Sequence, residues 1–563
     1  MNGPAFVSAV TDRLNASPLA VGVARSISRS TISRLALLAA IPLCVFLIHA
    51  SLLGSWIMDD AGIAFAYARN LAAGQGLVSQ PGAPPVEGYS DFLWVLLMAV
   101  FYRLGLFHVV WTPKIVACVL TAGTFLVVTY TLRRSTSWWP GIAASALTLL
   151  ALQPGLVIWS VSGLENSLYV FLLSLLVVGA ANLLTAPAPS RTSLALMGVV
   201  AVGAAATRPD GVIYAAVVPM VLAARAWMAR GLRPWLEALA VYGVVTATLL
   251  GALTGFRWWY FGDVFPNTYY VKGAEHMTSI WAVVGLSPEI VLRITNLAAA
   301  IAGHRAATWF LLAVLASTVF LVTVRRFPPF LALLGLFSVV SATAYLLLPR
   351  DYMGEYRFAS PFFLFFYMYL VVLAWSLCDA TKLARTSRRQ LFVALMALLV
   401  ATSVFHVARR SVSFAANPTT PLAKVSDYFG ARYNLLAEGL GLPSASLLAP
   451  NQGGTLLHSN LKLFDLAGLC DRTIARTIGR NQPAFYDYVF ERIRPTFIHL
   501  HGNWVRRANL DGDPRFRRDY VPIHVRHGDK KQAAYIASAD FVRRDALHGP
   551  IDPRVAAILG DGF

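Results

Sequence analysis

Charge is scarce in this sequence. Of 563 residues only 13% are Asp, Glu, Lys or Arg, against 57% hydrophobic, and the mean hydropathy is +0.59. A soluble chain carries charge on about a quarter of its residues, so a water-soluble multidomain enzyme is excluded. So much apolar sequence also excludes a disordered chain. Cysteine is scarce as well: four residues with no Cys-x-x-Cys pair exclude a disulfide scaffold and give no support to a zinc site. There is no glycine-rich phosphate cradle, no evident nucleotide-sugar fold, no internal repeat and no low-complexity tract. Acidic residues are the rarer sign, 28 against 47 Lys and Arg, for a net charge of +19. What remains is a polytopic integral membrane protein.

A helix crosses a bilayer with about 20 apolar residues. Eleven stretches qualify: 35–57, 113–132, 138–159, 166–186, 192–207, 211–227, 236–256, 306–324, 330–348, 359–378 and 390–408. Two further apolar stretches, 91–110 and 277–303, are ambiguous. Lys and Arg gather on the cytoplasmic side of membrane proteins. Arg25, Arg29 and Arg34 place the N-terminus inside, and eleven spans put Arg133, Arg191, Arg225, Arg325 and Lys382 with their basic neighbours on that same side. This reading makes 91–110 a juxtamembrane or re-entrant helix. Much of the +19 is therefore topology, not a nucleic-acid site.

The chain then divides into a cytoplasmic segment 1–34, a transmembrane domain 35–408 with long outside loops 58–112 and 257–305, and an outside domain 409–563. Short apolar runs at Ala445–Leu448, Phe497–Leu500 and Val521–Val525 suggest that the last is a small α/β unit. The expected fold is a polytopic α-helical membrane protein with a C-terminal periplasmic α/β domain.

The polar residues of the membrane domain collect in the outside loops. Asp59 and Asp60 stand at a membrane exit, directly before a helical stretch. Either can cap that helix, or one can act as a base or metal ligand while the other caps. VEGYSDFLW (86–94) brings Glu87, Tyr89 and Asp91 back to the membrane. WSVSGLE (159–165) ends in Glu165, which caps the next span or faces a site. In TRPDG (207–211), Arg208 and Asp210 either pair with each other or leave Arg208 to hold a phosphate, which its fork suits. RWWYFGDVFPNTYYVK (257–272) carries two tryptophans fit for an interfacial belt, and the less easily explained Tyr260, Asp263, Asn267 and Lys272. RDYMGEYRF (350–358) ends the set with Asp351 and Arg357. In the tail, His499 and His501 share one face of an expected strand, without a third ligand at a metal spacing.

Together these motifs resemble the GT-C glycosyltransferases. The run DDAGIAFAYARNLAAGQGLV followed by PVEGYSDFLW is similar to that group's first periplasmic loop, and SGLE, TRPDG and the GD-x-x-PNT stretch match further elements. The layout is related to that of the mycobacterial terminal arabinofuranosyltransferase. NLKLFDLAGLCDRTIAR (460–476) and RPTFIHLHG (494–502) extend the likeness into the tail. Arg350 stands before Asp351 where the group has glycine.

The resemblance implies a bacterial inner-membrane enzyme with its C-terminal domain in the periplasm. It would move a sugar, with inversion, from a polyprenyl-phosphate donor to an envelope glycan, lipid or protein acceptor. It implies Asp59 as catalytic base and Asp60 as its orienting partner. Arg208, Arg257, Lys272 and Arg357 would bind the donor phosphate. Glu87, Tyr89, Glu165, Asp210, Tyr260, Asp263, Asn267 and Asp351 would bind substrate. Some relatives use a divalent metal, Mg or Mn, and others do not. Asp59, Asp60 and Glu165 are the carboxylates that could serve one. Two other classes stay open at this point: a flippase or transporter of lipid-linked sugars, whose polar residues should lie at mid-bilayer, and a non-catalytic glycan-binding assembly protein.

Overall fold

The computed structural model describes residues 29–185, 189–228, 233–272, 278–527 and 536–547. In hydrocarbon every backbone polar group must be bonded within its own segment, so long apolar runs fold as helices. Among the described residues seven helices are long and apolar enough to cross a membrane: Trp111–Ser135, Asn166–Thr185, Gly211–Met228, Arg233–Phe261, Pro329–Leu347, Arg357–Ala380 and Arg385–Ala416. Two bent pairs, Trp139–Leu152 with Pro154–Ser160 and Pro288–Ala302 with Ala307–Thr323, bring the number to as many as nine. The chain is a multi-pass membrane protein.

Each of the eleven expected stretches is helical, with corrected ends. The first helix, Arg29–Ser51, stops short of residue 57 because the chain turns through Gly54 at φ 48°. The helix Arg191–Thr207 has 17 residues. The last one runs beyond 408 to Ala416, through a wide turn at Val407–Ser411. The stretch 138–159 bends by 68° at Pro154, which has no N–H to continue the ladder. Phe92–Arg103, at 12 residues, is too short to cross, in keeping with a juxtamembrane helix. The ambiguous 277–303 contains Pro288–Ala302, bent by 90° from the helix that follows.

Burial sorts the helices. Ser360–Ala380 is rich in Phe, Tyr, Leu and Val and is buried almost throughout, at the centre of the bundle. Arg233–Phe261 exposes most of its apolar flank, the surface that lipid covers.

The tail forms one mixed sheet. Its strands are β1 (Ser446–Ala449), β2 (Lys462–Asp465), β3 (Phe497–His501), β4 (Tyr520–His527) and β5 (Ile536–Arg543), in the order β2-β1-β3-β5-β4. β1 lies parallel to both β2 and β3, while β5 is antiparallel to β3 and β4. Side chains alternate across a strand, and here the alternation divides two cores. Leu447 and Phe497 join the apolar core of the helix bundle, whereas Leu448 and Ile498 join a separate core with Phe485 and Phe490. The tail is thereby packed on the membrane domain. β1, β3 and β4 arise from the three expected apolar runs; β2 and β5 are additional.

Candidate active site

The loops that carry the motifs converge at one end of the bundle. Met58 N–H donates to Ser162 O at 2.9 Å, Trp94 Nε1 to Gly163 O at 3.0 Å, and Trp159 Nε1 to Glu355 O at 3.2 Å. Between them and the tail lies a cavity of about 910 Å³.

Asp59 and Asp60 open the helix Asp59–Ala72 and both line this cavity. Asp59 does not serve only its own helix. Its Oδ1 accepts from Gly454 N–H at 2.7 Å, and its own N–H donates to Thr420 O at 3.0 Å. The approach is so close that a Cβ on Gly453 would stand 1.7 Å from Asp59 O, which only glycine avoids. Burial raises the Asp59 carboxyl to about 7, against the pull of Gly454 N–H and with a further push from Asp60. Asp60 is less buried and accepts from Tyr352 Oη at 3.4 Å.

Five carboxylates line the cavity: Asp59, Asp60, Asp91, Glu165 and Asp351. Four arginines face them, Arg350, Arg357, Arg506 and Arg507. Burial drives Asp91 well above the usual carboxylate range, Glu165 adds to the rise and Arg357 opposes it. Arg357 is buried but weakly engaged. Its Nη1 donates to Met353 Sδ, but its Nε lies 3.6 Å from Asp351 Oδ2, and among the described residues neither of those two atoms has a hydrogen-bond partner. A buried guanidinium with an unmet donor is well suited to an anion.

Of the expected site residues, Asp59, Asp60, Tyr89, Glu165, Asp351 and Arg357 line the cavity. Arg208 and Arg257, expected as phosphate ligands, are each paired with carboxylates. Arg208 bonds Glu165 at 2.9 Å and Asp210 at 3.0 Å, and its guanidinium lies 4.6 Å from the centre of the Phe358 ring. Arg257 holds both oxygens of Glu87 at 2.9–3.1 Å. Neither arginine, nor Glu87 or Asp210, lines the cavity.

Tyr260, Asp263 and Asn267 also fasten structure rather than line the cavity. Tyr260 Oη accepts from Leu77 N–H at 2.9 Å. Asp263 forms an ion pair with Arg472 at 3.0 Å and accepts from Arg476 at 2.5 Å, both in the tail. Asn267 Nδ2 donates to Gly468 O at 2.7 Å and Leu469 O at 2.9 Å. Lys272 ends the helix Asn267–Lys272, and its side chain lies outside the described residues. Among the described residues no group of three or more His, Cys, Asp or Glu is placed to hold a metal ion, so Asp59, Asp60 and Glu165 do not form such a group.

The tail's share of the site is not among the site residues the sequence singles out. Pro450, Asn451 and Gln452 follow β1, Ala467 and Leu469 follow β2, and His501 ends β3 with Asn503 and Trp504 just beyond; all line the cavity. These are the carboxyl ends of the three parallel strands, where open α/β sheets place their ligands. The signal was present as HGNWVRR directly after an apolar run, and as the Gly453-Gly454 pair after another.

No protein-family model matches the chain, and no curated protein matches it. Among solved structures, ArnT from Cupriavidus metallidurans in the apo state is similar at a TM-score of 0.54 and 13% identity, over 92% of this chain and 100% of that one. The same protein bound to undecaprenyl phosphate gives 0.53 and 12%, over 91% and 98%. The apo oligosaccharyltransferase from Archaeoglobus fulgidus gives 0.51 and 12%, over 87% and 72%. At these identities the likeness is one of fold: the chain has the GT-C fold that its loop motifs implied.

Proposed function

We propose that this protein is a membrane glycosyltransferase that moves a sugar, with inversion, from a polyprenyl-phosphate donor to a hydroxyl of a cell-envelope acceptor. The observation that carries the reading is one cavity holding the Asp59–Asp60 pair and the under-bonded Arg357. The shared fold with a protein crystallised with undecaprenyl phosphate supports a lipid-linked donor.

In the proposed reaction the acceptor oxygen attacks the anomeric carbon as the bond from that carbon to the phosphate oxygen breaks. The electron pair leaves with the lipid phosphate, and the hydroxyl proton passes to a carboxylate. Asp59 suits that step, because a base poised near the working pH combines the correct protonation state with proton affinity. Asp60, with Tyr352, orients the acceptor. Arg357, helped by Arg350, meets the charge that develops on the departing phosphate. A single displacement gives inversion. The resemblance implies a bacterial inner membrane, and the basic turns put the N-terminus inside and the tail in the periplasm.

A transporter would gather its polar groups at mid-bilayer, whereas the polar groups of this cavity come from the loops and the tail. The test is transfer by the purified full chain, given a panel of polyprenyl-phosphate pentoses and hexoses and an envelope extract. Label in glycan or lipid product supports the reading. Movement of intact donor across a vesicle bilayer without product contradicts it.

A further inference from the structure

Arg357 meets the lipid phosphate in the proposed reaction, and the backbone that delivers it is strained. Gly354, Glu355 and Tyr356 have φ of 76°, 44° and 54°, three successive residues in the left-handed region. Glycine enters that region freely, whereas a side chain crowds the backbone there. Glu355 and Tyr356 therefore persist in it only where the surroundings fix them. Arg357 is the next residue, and the turn closes around it: Arg357 N–H donates to Gly354 O at 3.4 Å, and Ala359 N–H to Tyr356 O at 2.8 Å.

Several contacts hold the backbone of this turn. Trp159 Nε1 donates to Glu355 O at 3.2 Å, and a Cβ on Gly155 would stand 2.5 Å from that same oxygen. Thr419 Oγ1 donates to Met353 O at 3.1 Å, and Asn166 Nδ2 to Arg357 O at 3.1 Å. Arg410 grips the side chains of both strained residues. Its Nη2 donates to Glu355 Oε2 at 2.5 Å, and its guanidinium lies 5.0 Å from the centre of the Tyr356 ring. The Glu355 and Arg410 side chains are each only 20% exposed, so solvent screens the pair less than one on an open surface. Arg410 sits in the wide turn Val407–Ser411 of the last membrane helix, and interruptions of this kind are frequent at functional sites. The residues after it are anchored in turn. Ser411 Oγ lies 2.7 Å from His49 Nε2, Phe414 packs edge-on against Trp56 at 5.0 Å, and Thr420 O accepts from Asp59 N–H at 3.0 Å. The segment 410–420 thus touches the Arg357 wall of the cavity at one end and the Asp59 wall at the other.

We propose that Arg410 and Glu355 are positioning residues for Arg357: their pair holds the left-handed turn that keeps the Arg357 guanidinium at the cavity wall. The proposal rests on the transferase reading for what Arg357 then binds, the phosphate of the lipid donor. Neither Arg410 nor Glu355 lines the cavity, so both act through Arg357.

The test uses the full chain in lipid nanodiscs and has two arms. The first is a cryo-electron-microscopy structure of Arg410→Ala. We expect residues 354–356 to leave the left-handed conformation and Arg357 to leave the cavity wall. A turn and an Arg357 that keep their places overturn the proposal. This arm needs no substrate, so it rules on the placement of Arg357 even if no sugar is transferred and the transferase reading fails. The second arm measures binding of undecaprenyl phosphate. We expect Arg410→Ala to weaken it about tenfold and Arg410→Lys to recover part of the loss. Once Arg357 is Ala, Arg410→Ala should have no further effect, because residues that act through one another are not additive. Losses that add, or an unchanged affinity in Arg410→Ala beside a weakened Arg357→Ala, overturn the assignment. An affinity that neither variant changes contradicts the phosphate role of Arg357 in the transferase reading, and the first arm still decides its placement. A merely structural Arg410 would lower the unfolding temperature and leave the affinity of the folded protein where it was. Glu355→Gln keeps the side chain and removes its charge, so it replaces Arg410→Ala in both arms if that variant does not fold. We expect the same changes in smaller measure, and their absence overturns the proposal.

Discussion

Arg257 and Arg357 are alike in most respects that a sequence reveals. Each lies in a motif stretch beside the membrane, and each is 8% exposed. Their partners separate them. Arg257 is held by Glu87 through three hydrogen bonds of 2.9–3.1 Å. Arg357 has a 3.6 Å approach to Asp351, a contact from Nη1 to Met353 Sδ and, among the described residues, an unmet Nε, at the wall of the cavity. Equal burial thus produces two different objects. A saturated pair holds two loops together, whereas an unsaturated arginine retains its capacity for an anion. Arg208 falls on the Arg257 side of the division, with Glu165 and Asp210 as its carboxylates.

The division is open to attack by mutation. The largest effect should come from Arg257→Ala, which strands Glu87 as a buried, unpaired acid. Breaking a buried pair on one side costs about 3–5 kcal/mol. We predict a markedly lower unfolding temperature in detergent, largely recovered when Glu87 is also made Leu. If Arg257→Ala instead keeps its stability and loses affinity for the donor, Arg257 belongs with Arg357. Next comes Arg357→Ala, for which we predict a fall in donor kcat/KM of about 10²–10³, the scale for removing one charge-stabilising donor. Its unfolding temperature should fall less than that of Arg257→Ala, because Arg357 has no hydrogen-bonded carboxylate to strand; a drop as large would erase the distinction. Smallest is Asp263→Ala. Its partners Arg472 and Arg476 are more than a third exposed, at 36% and 42%. Solvent screening limits such pairs to about 1 kcal/mol or less, so a slight loss of stability with unchanged turnover is the predicted outcome.

The fold was largely legible because hydropathy is local: a run of apolar residues announces a helix whatever its neighbours are. The bends at Pro154 and after Ala302 shift ends and lengths without undoing that reading. The carboxylate pair was legible too, since adjacent acids at a membrane exit are conspicuous in a chain so poor in charge. The state of each arginine was not. Arg257 meets Glu87 across 170 residues of sequence, and Arg208 meets Glu165 across 43. Nothing local distinguishes them from Arg357. The tail's contribution was hidden for a related reason. Gly453-Gly454 reads as a flexible turn until Asp59, 395 residues before Gly454, is found against it. His499 and His501 were read onto one strand face, but the Asp540 that bonds His499 comes from β5, which no apolar run announced.

The scarcity of charge also takes on a different meaning. Among few charges, many are spent on joining loops to one another and to the tail. A further set lines the cavity, and Asp59 is the member of that set whose carboxyl is poised at about 7. An ionised Asp59 is required for the proposed step, so turnover should rise with pH through about 7 and fall as acid protonates the group.

The most direct measurement is single-turnover transfer from a polyprenyl-phosphate sugar by the full chain, comparing the natural protein with Asp59→Asn across that pH range. The account predicts a loss of about 10²–10⁴ in rate for a missing base, with the rise near pH 7 abolished and the unfolding temperature preserved. Transfer by Asp59→Asn at close to the natural rate, with the same pH profile, would contradict it.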